Sequence, residues 1–258
     1  MPVAVLAGGL GTRMAGVVAE GIPKVLVPVA GRPFLDFKLA SLAAQGVDRV
    51  VLLLGHGADR VAEYVGGGRL FGMEVGIVLD GPELLGTGGA VRRAAPHLGE
   101  RFWVTYGDTY LRAPMAAAEA AFEGSGWAGL MTVFENADAW DRSNVRVEHG
   151  LVAEYRKGAP AGTFRYIDYG LLLLEAVSFG AWQEGEPFDL AEVLGRLVDQ
   201  RRLGAFEVAE RFYEVGTPAG WEEADAFLSG SDQWARLCSQ TGPIGPVGGR
   251  TTSDAPKG

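Results

Sequence analysis

Short runs of apolar residues, rich in β-branched types, recur along the first half of the chain. Residues 2–8 (PVAVLAG), 48–55 (DRVVLLLG), 73–80 (MEVGIVLD), 101–108 (RFWVTYGD) and 128–135 (AGLMTVFE) are apolar enough throughout to be strands covered on both faces. Between them, 33–46, 58–65, 88–99 and 114–124 read as helices, the first closed by Gly46. The apolar stripe of 88–99 reads as a core face. Strands alternating with helices predict an α/β fold with a Rossmann-like, mainly parallel sheet covered by helices on both faces.

The pattern changes further along. Residues 145–157 predict a hairpin turning at His149-Gly150, and 166–175 a strand. An amphipathic helix is expected over 188–202, then one or two short strands in 206–216. A helix over 218–228 begins at Pro218, where a missing N–H costs little. Residues 239–258 have the composition of a disordered tail, and no internal repeat is visible. The reading is one α/β domain with an inserted or appended, smaller β-rich portion.

A chain of 258 residues with 48% hydrophobic content can bury one large α/β core or two small ones. No apolar run approaches the roughly 18 residues of a spanning helix, so no membrane partner is expected. The first residues lack a basic region, so they read as a strand and not a signal peptide. A lone cysteine, Cys238, excludes an intrachain disulfide and a cysteine zinc site, and three histidines argue against a histidine-rich metal site. A reducing, cytoplasmic setting is expected. The net charge of −9 argues against a nucleic-acid partner but leaves small anionic substrates open.

Candidate chemistry begins in residues 6–24, LAGGLGTRMAGVVAEGIPK. Gly8, Gly9, Gly11 and Thr12 directly follow the first strand, and Arg13 and Lys24 come next. Loops leaving the carboxyl ends of parallel strands hold ligands, and glycines there let phosphates approach backbone N–H groups. A dinucleotide loop would carry glycine where Met14 stands, and a P-loop would carry Ser or Thr where Val25 follows Lys24. A glycine turn alone is common, and lone surface cations are usually just solvated. An arginine fork and a lysine point charge flanking such a loop, however, suit a polyphosphate.

The stretch LAGGLGTRM…IPKVLVPVAGRPFL resembles the signature of the sugar-1-phosphate nucleotidyltransferases, or nucleotide-sugar pyrophosphorylases. LLGTGGAV (84–91), YGDTY (106–110), YRKGAP (155–160), IDYGLLLL (167–174) and FYEVGTPAGWEEA (212–224) follow in the family's order, so the similarity covers residues 1–228. The GTGGA, GDTY and RPFL segments are most similar to heptose-1-phosphate and mannose-1-phosphate guanylyltransferases. The resemblance implies an enzyme joining a nucleoside triphosphate, favoured GTP, to a manno-configured sugar 1-phosphate, releasing pyrophosphate with Mg²⁺ as cofactor. The attacking phosphate is already ionised near neutral pH, so the reaction needs positioning and charge neutralisation and no general base.

Carried over by resemblance, one nucleotidyltransferase domain spans 1–230, its nucleotide-binding half about 1–135 and its sugar- and metal-binding half about 136–230. Gly8–Thr12 hold the triphosphate, Arg13 stabilises the α-phosphate and departing pyrophosphate, and Lys24 faces the α-phosphate or sugar phosphate. Asp108 and Glu214 hold the metal, Glu214 standing where the family usually has Asp. Asp80 or Glu83 reads the base, with Gly86, Thr87 and Gly88 giving base or ribose a close backbone. Lys157 contacts the sugar-linked phosphate, and Asp168 (in place of a common Asn) and Asn144 face the sugar. Arg156 for Glu, Val25 for Pro and a one-residue-longer interval between Arg13 and Lys24 are further departures. UTP or dTTP with glucose 1-phosphate is the nearest alternative. A cofactor nucleotidyltransferase of the molybdopterin-guanylyl type shares the opening motif, but GTGGAV, IDYG and EVGTP speak against it. A non-catalytic nucleotide-sugar sensor draws support from Glu214 and the altered loop. Oligomeric state is left open.

Overall fold

The computed structural model describes residues 1–9, 21–66, 68–230 and 233–241. In chain order its elements are β1 (Val3–Leu6), β2 (Pro28–Val29), β3 (Arg32–Pro33), α1 (Phe34–Ala44), β4 (Arg49–Leu54), α2 (Ala58–Val65), β5 (Arg69–Leu70), β6 (Met73–Leu79) and α3 (Gly86–Leu98). There follow β7 (Arg101–Tyr106), β8 (Thr109–Tyr110), α4 (Met115–Phe122), β9 (Gly129–Glu135), β10 (Val145–Glu148), β11 (Leu151–Tyr155) and β12 (Tyr166–Glu175). The last described elements are α5 (Leu190–Asp199), β13 (Leu203–Val208), β14 (Tyr213–Glu214), α6 (Pro218–Ser229) and α7 (Gln233–Thr241).

Ten strands join one sheet in the order β10-β11-β13-β9-β12-β7-β1-β4-β6-β5. Strands β6, β4, β1 and β7 run parallel, with Val3 opposite both Val50 and Trp103. The parallel expectation therefore holds for these four strands. Beyond it, β12 enters antiparallel between β7 and β9, so the sheet as a whole is mixed. The β-rich portion does not stand apart: its strands extend the same sheet.

The alternation of side chains builds two cores. Val3, Val5, Val50, Leu52, Leu54, Leu171 and Leu173 point to the face covered by α1, α2, α4, α6 and α7. Ala4, Val51, Leu53, Leu172 and Leu174 point to the other, under α3 and α5. Because both sides of these strands are buried, they read as continuous apolar runs. The hairpin turns where expected, with His149 at φ 53° and Gly150 at φ 75°, the two left-handed residues of a tight hairpin turn. Thr217 caps α6 by accepting the Gly220 N–H at 3.1 Å, with Pro218 in the first turn. The expected tail start is corrected: α7 runs on to Thr241, anchored by Trp234 edge-on to Phe37 at 5.3 Å and Phe71 at 6.0 Å. Residues 242–258 lie outside the described residues.

Two irregularities interrupt these regular elements and redirect the chain locally. The β9–β12 register shifts between Asp168 and Leu172, with Gly170 at φ 84°, and this bulge re-aims Asp168. Gly86 begins α3 at φ 71°, and a Cβ on it would meet the Phe188 carbonyl oxygen at 2.5 Å. Left-handed strain and that clash coincide, so Gly86→Ala is expected to cost about 2–4 kcal/mol of stability, measured by urea denaturation. A loss below about 0.5 kcal/mol would show that α3 starts elsewhere.

Candidate active site

The loops after β1, β4, β6 and β7 leave the sheet at one edge and are laced together by backbone bonds. Ala7 N–H donates to Leu53 O (2.9 Å), Asp80 N–H to Leu54 O (3.0 Å) and Gly107 N–H to Leu6 O (2.8 Å). A Cβ on Gly8 would sit 2.9 Å from the Gly55 nitrogen, so only glycine lets these two loops touch. Two cavities open along this edge. The first, of about 250 Å³, is lined by Gly8, Gly9, Lys24, Asp80, Gly86 and Thr87, with Leu84 and Tyr106. The second, of about 520 Å³, is lined by Asn144, Lys157, Asp168 and Glu214, with Arg142 and Tyr155. Asp108 lines both.

The structure thus gathers the described candidates into two groups that meet at one carboxylate. Gly11, Thr12 and Arg13 lie outside the described residues. Glu83 is exposed and lines neither cavity, whereas Asp80 is only 8% exposed and faces the first. Burial pushes the Asp80 carboxyl up, partly opposed by the Leu85 N–H and the Arg93 charge. Asp80 Oδ2 accepts that N–H at 3.4 Å.

Asp108 follows β7 and is fixed from both sides. Lys24 Nζ lies 3.2 Å from its Oδ2, delivered by a short helical turn, Lys24–Leu26, whose Val25 is buried against Gly107. Val25, the departure from the family's proline, is a core residue. Val215 N–H donates to Asp108 O at 2.9 Å, and β14 pairs with β8 so that Glu214 stands opposite Thr109. Next in line is Gly216. A Cβ there would lie 3.7 Å from Glu214 Oε1 and 3.8 Å from Asp108 Oδ2, so the missing methyl leaves both carboxylates one common space. Two hard oxygen donors fit Mg²⁺, which commonly takes one or two carboxylates and completes its shell with waters and phosphates. Among the described residues no group of three or more His, Cys, Asp or Glu is placed to hold a metal. Asp108 and Glu214 would therefore supply only part of a shell.

Along the second cavity the candidates are tied to one another. Asn144 Oδ1 accepts the Asp168 N–H at 2.8 Å, Asp168 Oδ1 accepts the Gly170 N–H at 2.9 Å, and the Tyr155 hydroxyl donates to Asp168 Oδ2 at 3.4 Å. Burial raises the Asp168 carboxyl despite these donors and the Lys157 charge. Lys157 Nζ donates to both oxygens of Asp189, at 2.9 and 3.1 Å.

Gly86, Thr87 and Gly88 are the first turn of α3, and Gly88 does not line the cavity. Phe188 O accepts the N–H groups of Gly88 and Gly89 (3.0 and 3.3 Å), and Thr87 Oγ1 accepts the Leu190 N–H at 2.8 Å. The chain itself takes the Gly88 and Gly89 N–H groups, while Gly86 and Thr87 line the first cavity. Sequence reasoning also missed Tyr106, Tyr155, Arg142 and Lys38. Tyr155 and Arg142 neighbour motif residues, which was the available signal. Lys38 is 2% exposed, and burial pulls its ammonium down to about 7, opposed by the Asp108 charge.

Comparison with known proteins accords with this geometry. The MobA-like NTP transferase domain family matches residues 3–143, more than half of the chain. The bifunctional protein GlmU of Parvibaculum lavamentivorans is 41% identical over 118 residues, 45% of this chain and 24% of that protein. The chain thus spans about a quarter of that relative's length. D-glycero-alpha-D-manno-heptose 1-phosphate guanylyltransferase of Campylobacter jejuni is 25% identical over 221 residues, 84% of this chain and 96% of the relative. The structure of HddC from Yersinia pseudotuberculosis complexed with GMP-PN superposes with a TM-score of 0.73 at 26% identity, covering 88% of this chain and 99% of that one. The matched region contains β1, Lys24, Asp80 and Asp108, and the chain belongs to the MobA-like NTP transferase domain family.

Proposed function

We propose that the chain is a Mg²⁺-dependent sugar-1-phosphate nucleotidyltransferase that uses GTP and a manno-configured heptose or mannose 1-phosphate. The observation carrying this reading is Asp108 at the junction of two cavities, one lined by Gly8, Gly9 and Asp80, the other by Lys157 and Asp168. In the reaction a sugar-phosphate oxygen forms a bond to the α-phosphorus, and the bond from that phosphorus to the bridging oxygen breaks, releasing pyrophosphate. No proton has to move, which suits a site whose described lining has no histidine. Lys24 offsets charge at the α-phosphate, and Lys157 receives the sugar phosphate. Mg²⁺, when bound by Asp108 and Glu214, supplies neutralisation of phosphate charge. Asp80 supports guanine because a carboxylate accepts from both its ring N–H and its exocyclic amine, whereas uracil and thymine offer one N–H between two carbonyls.

The reading is tested by pyrophosphate release with five nucleoside triphosphates crossed against a panel of sugar 1-phosphates. GTP with a manno-configured sugar phosphate is expected to turn over fastest. Nucleotide binding without turnover for any pair would favour a sensor instead. Asp108→Asn should lower kcat on the order of 100-fold in a folded protein, and near-normal turnover would remove its assigned role. Asp80→Asn should reduce the preference for GTP over UTP by about tenfold, read as a ratio of kcat/KM values; an unchanged ratio would show that the base is read elsewhere. Gly216→Ala should raise the Mg²⁺ concentration for half-maximal turnover with little change in melting temperature. An unaltered Mg²⁺ dependence would place the metal away from the shared space.

A further inference from the structure

Lys38 lies in α1 between Phe37 and Leu39 and is as buried as they are. Its ammonium donates to two neutral oxygens, Thr105 Oγ1 at 2.7 Å and the Thr109 carbonyl at 2.8 Å. Filling space does not require an amine, since leucine or methionine would occupy this volume without desolvating a charge. What the amine reaches is informative. Thr105 is on β7 and Thr109 begins β8, so the two oxygens bracket Gly107 and Asp108. Thr109 Oγ1 donates to Asp108 Oδ1 at 3.4 Å, and Thr109 is the residue opposite Glu214.

We propose that Lys38 is a positioning residue that clamps both ends of the 105–109 corner from behind, so that the carboxylates of Asp108 and Glu214 face their common space. This rests on the role assigned to Asp108 above, but the clamp itself can be read without substrates. Lys38→Met keeps the volume and removes both bonds. In that variant amides of residues 104–110 should exchange hydrogen faster, with exchange elsewhere unchanged. Mn²⁺ titrated alone, as a probe for the metal, should bind about tenfold more weakly. kcat should fall by a comparable factor, with the KM for nucleotide moving less than about twofold. Unchanged exchange and Mn²⁺ binding would overturn the proposal. Faster exchange with unaltered Mn²⁺ binding and kcat would overturn it too, since the lysine would then be merely structural. Should Lys38→Met not fold, Thr105→Val removes one of the two bonds and should move the same readouts in the same direction by about threefold, and no movement would be decisive against the clamp. Absence of turnover by the unaltered protein would instead reject the reaction, with the exchange and Mn²⁺ measurements still deciding the role of Lys38.

Discussion

A carboxylate at the meeting point of two cavities repels every anion brought to either one. Around Asp108 the fold answers this with cations at graded distances. Lys24 touches it at 3.2 Å, Lys38 is sealed behind its corner, and Lys157 stands across the second cavity. Glu214 adds a second negative charge beside the same space. A divalent cation held between the two acids would offset both charges at once, which is the electrostatic reason that the proposed chemistry calls for a divalent metal. Net charge says little here. A chain of −9 still concentrates lysine side chains on this one edge.

Much of the scaffold was legible because burial on both faces leaves a clear trace. Strands β1 and β4 are nearly continuous apolar runs, and the His149-Gly150 turn shows in residues that tolerate positive φ. The two-residue strands β2, β3, β5, β8 and β14 are too short to display any period, and β14 nevertheless carries Glu214. Lys38 was hidden for the opposite reason. Helix α1 is buried almost all round, Asp36 and Lys38 at 3% and 2% exposure, so its polar positions do not mark a solvent face. The choice between Asp80 and Glu83 likewise depends on which way the chain turns after β6, and no local pattern encodes that turn. The glycines of 86–89 were legible as a need for close approach. What approaches is the 186–189 segment, a contact nearly a hundred residues away in sequence.

That segment also shows how the two cavities are joined mechanically. Phe188 holds the first turn of α3 through its carbonyl, and Leu190 donates to Thr87, which lines the first cavity. Asp189, between them, caps α5 through the Ala191 N–H at 2.7 Å, while Glu192 returns a bond to the Asp189 N–H. The same carboxylate holds Lys157, which lines the second cavity. Burial alone would raise the Asp189 carboxyl, but Lys157 and the Ala191 N–H outweigh it and hold it low. The two side chains of the ion pair are 48% and 51% exposed, so solvent screens it and it contributes no more than about 1 kcal/mol. The cap does not depend on the lysine. A phosphate dianion entering the second cavity can therefore draw Lys157 away while Asp189 goes on capping α5, leaving the contacts to α3 in place. Weakness in that one bond lets the cation be held near its proposed partner without making its release costly.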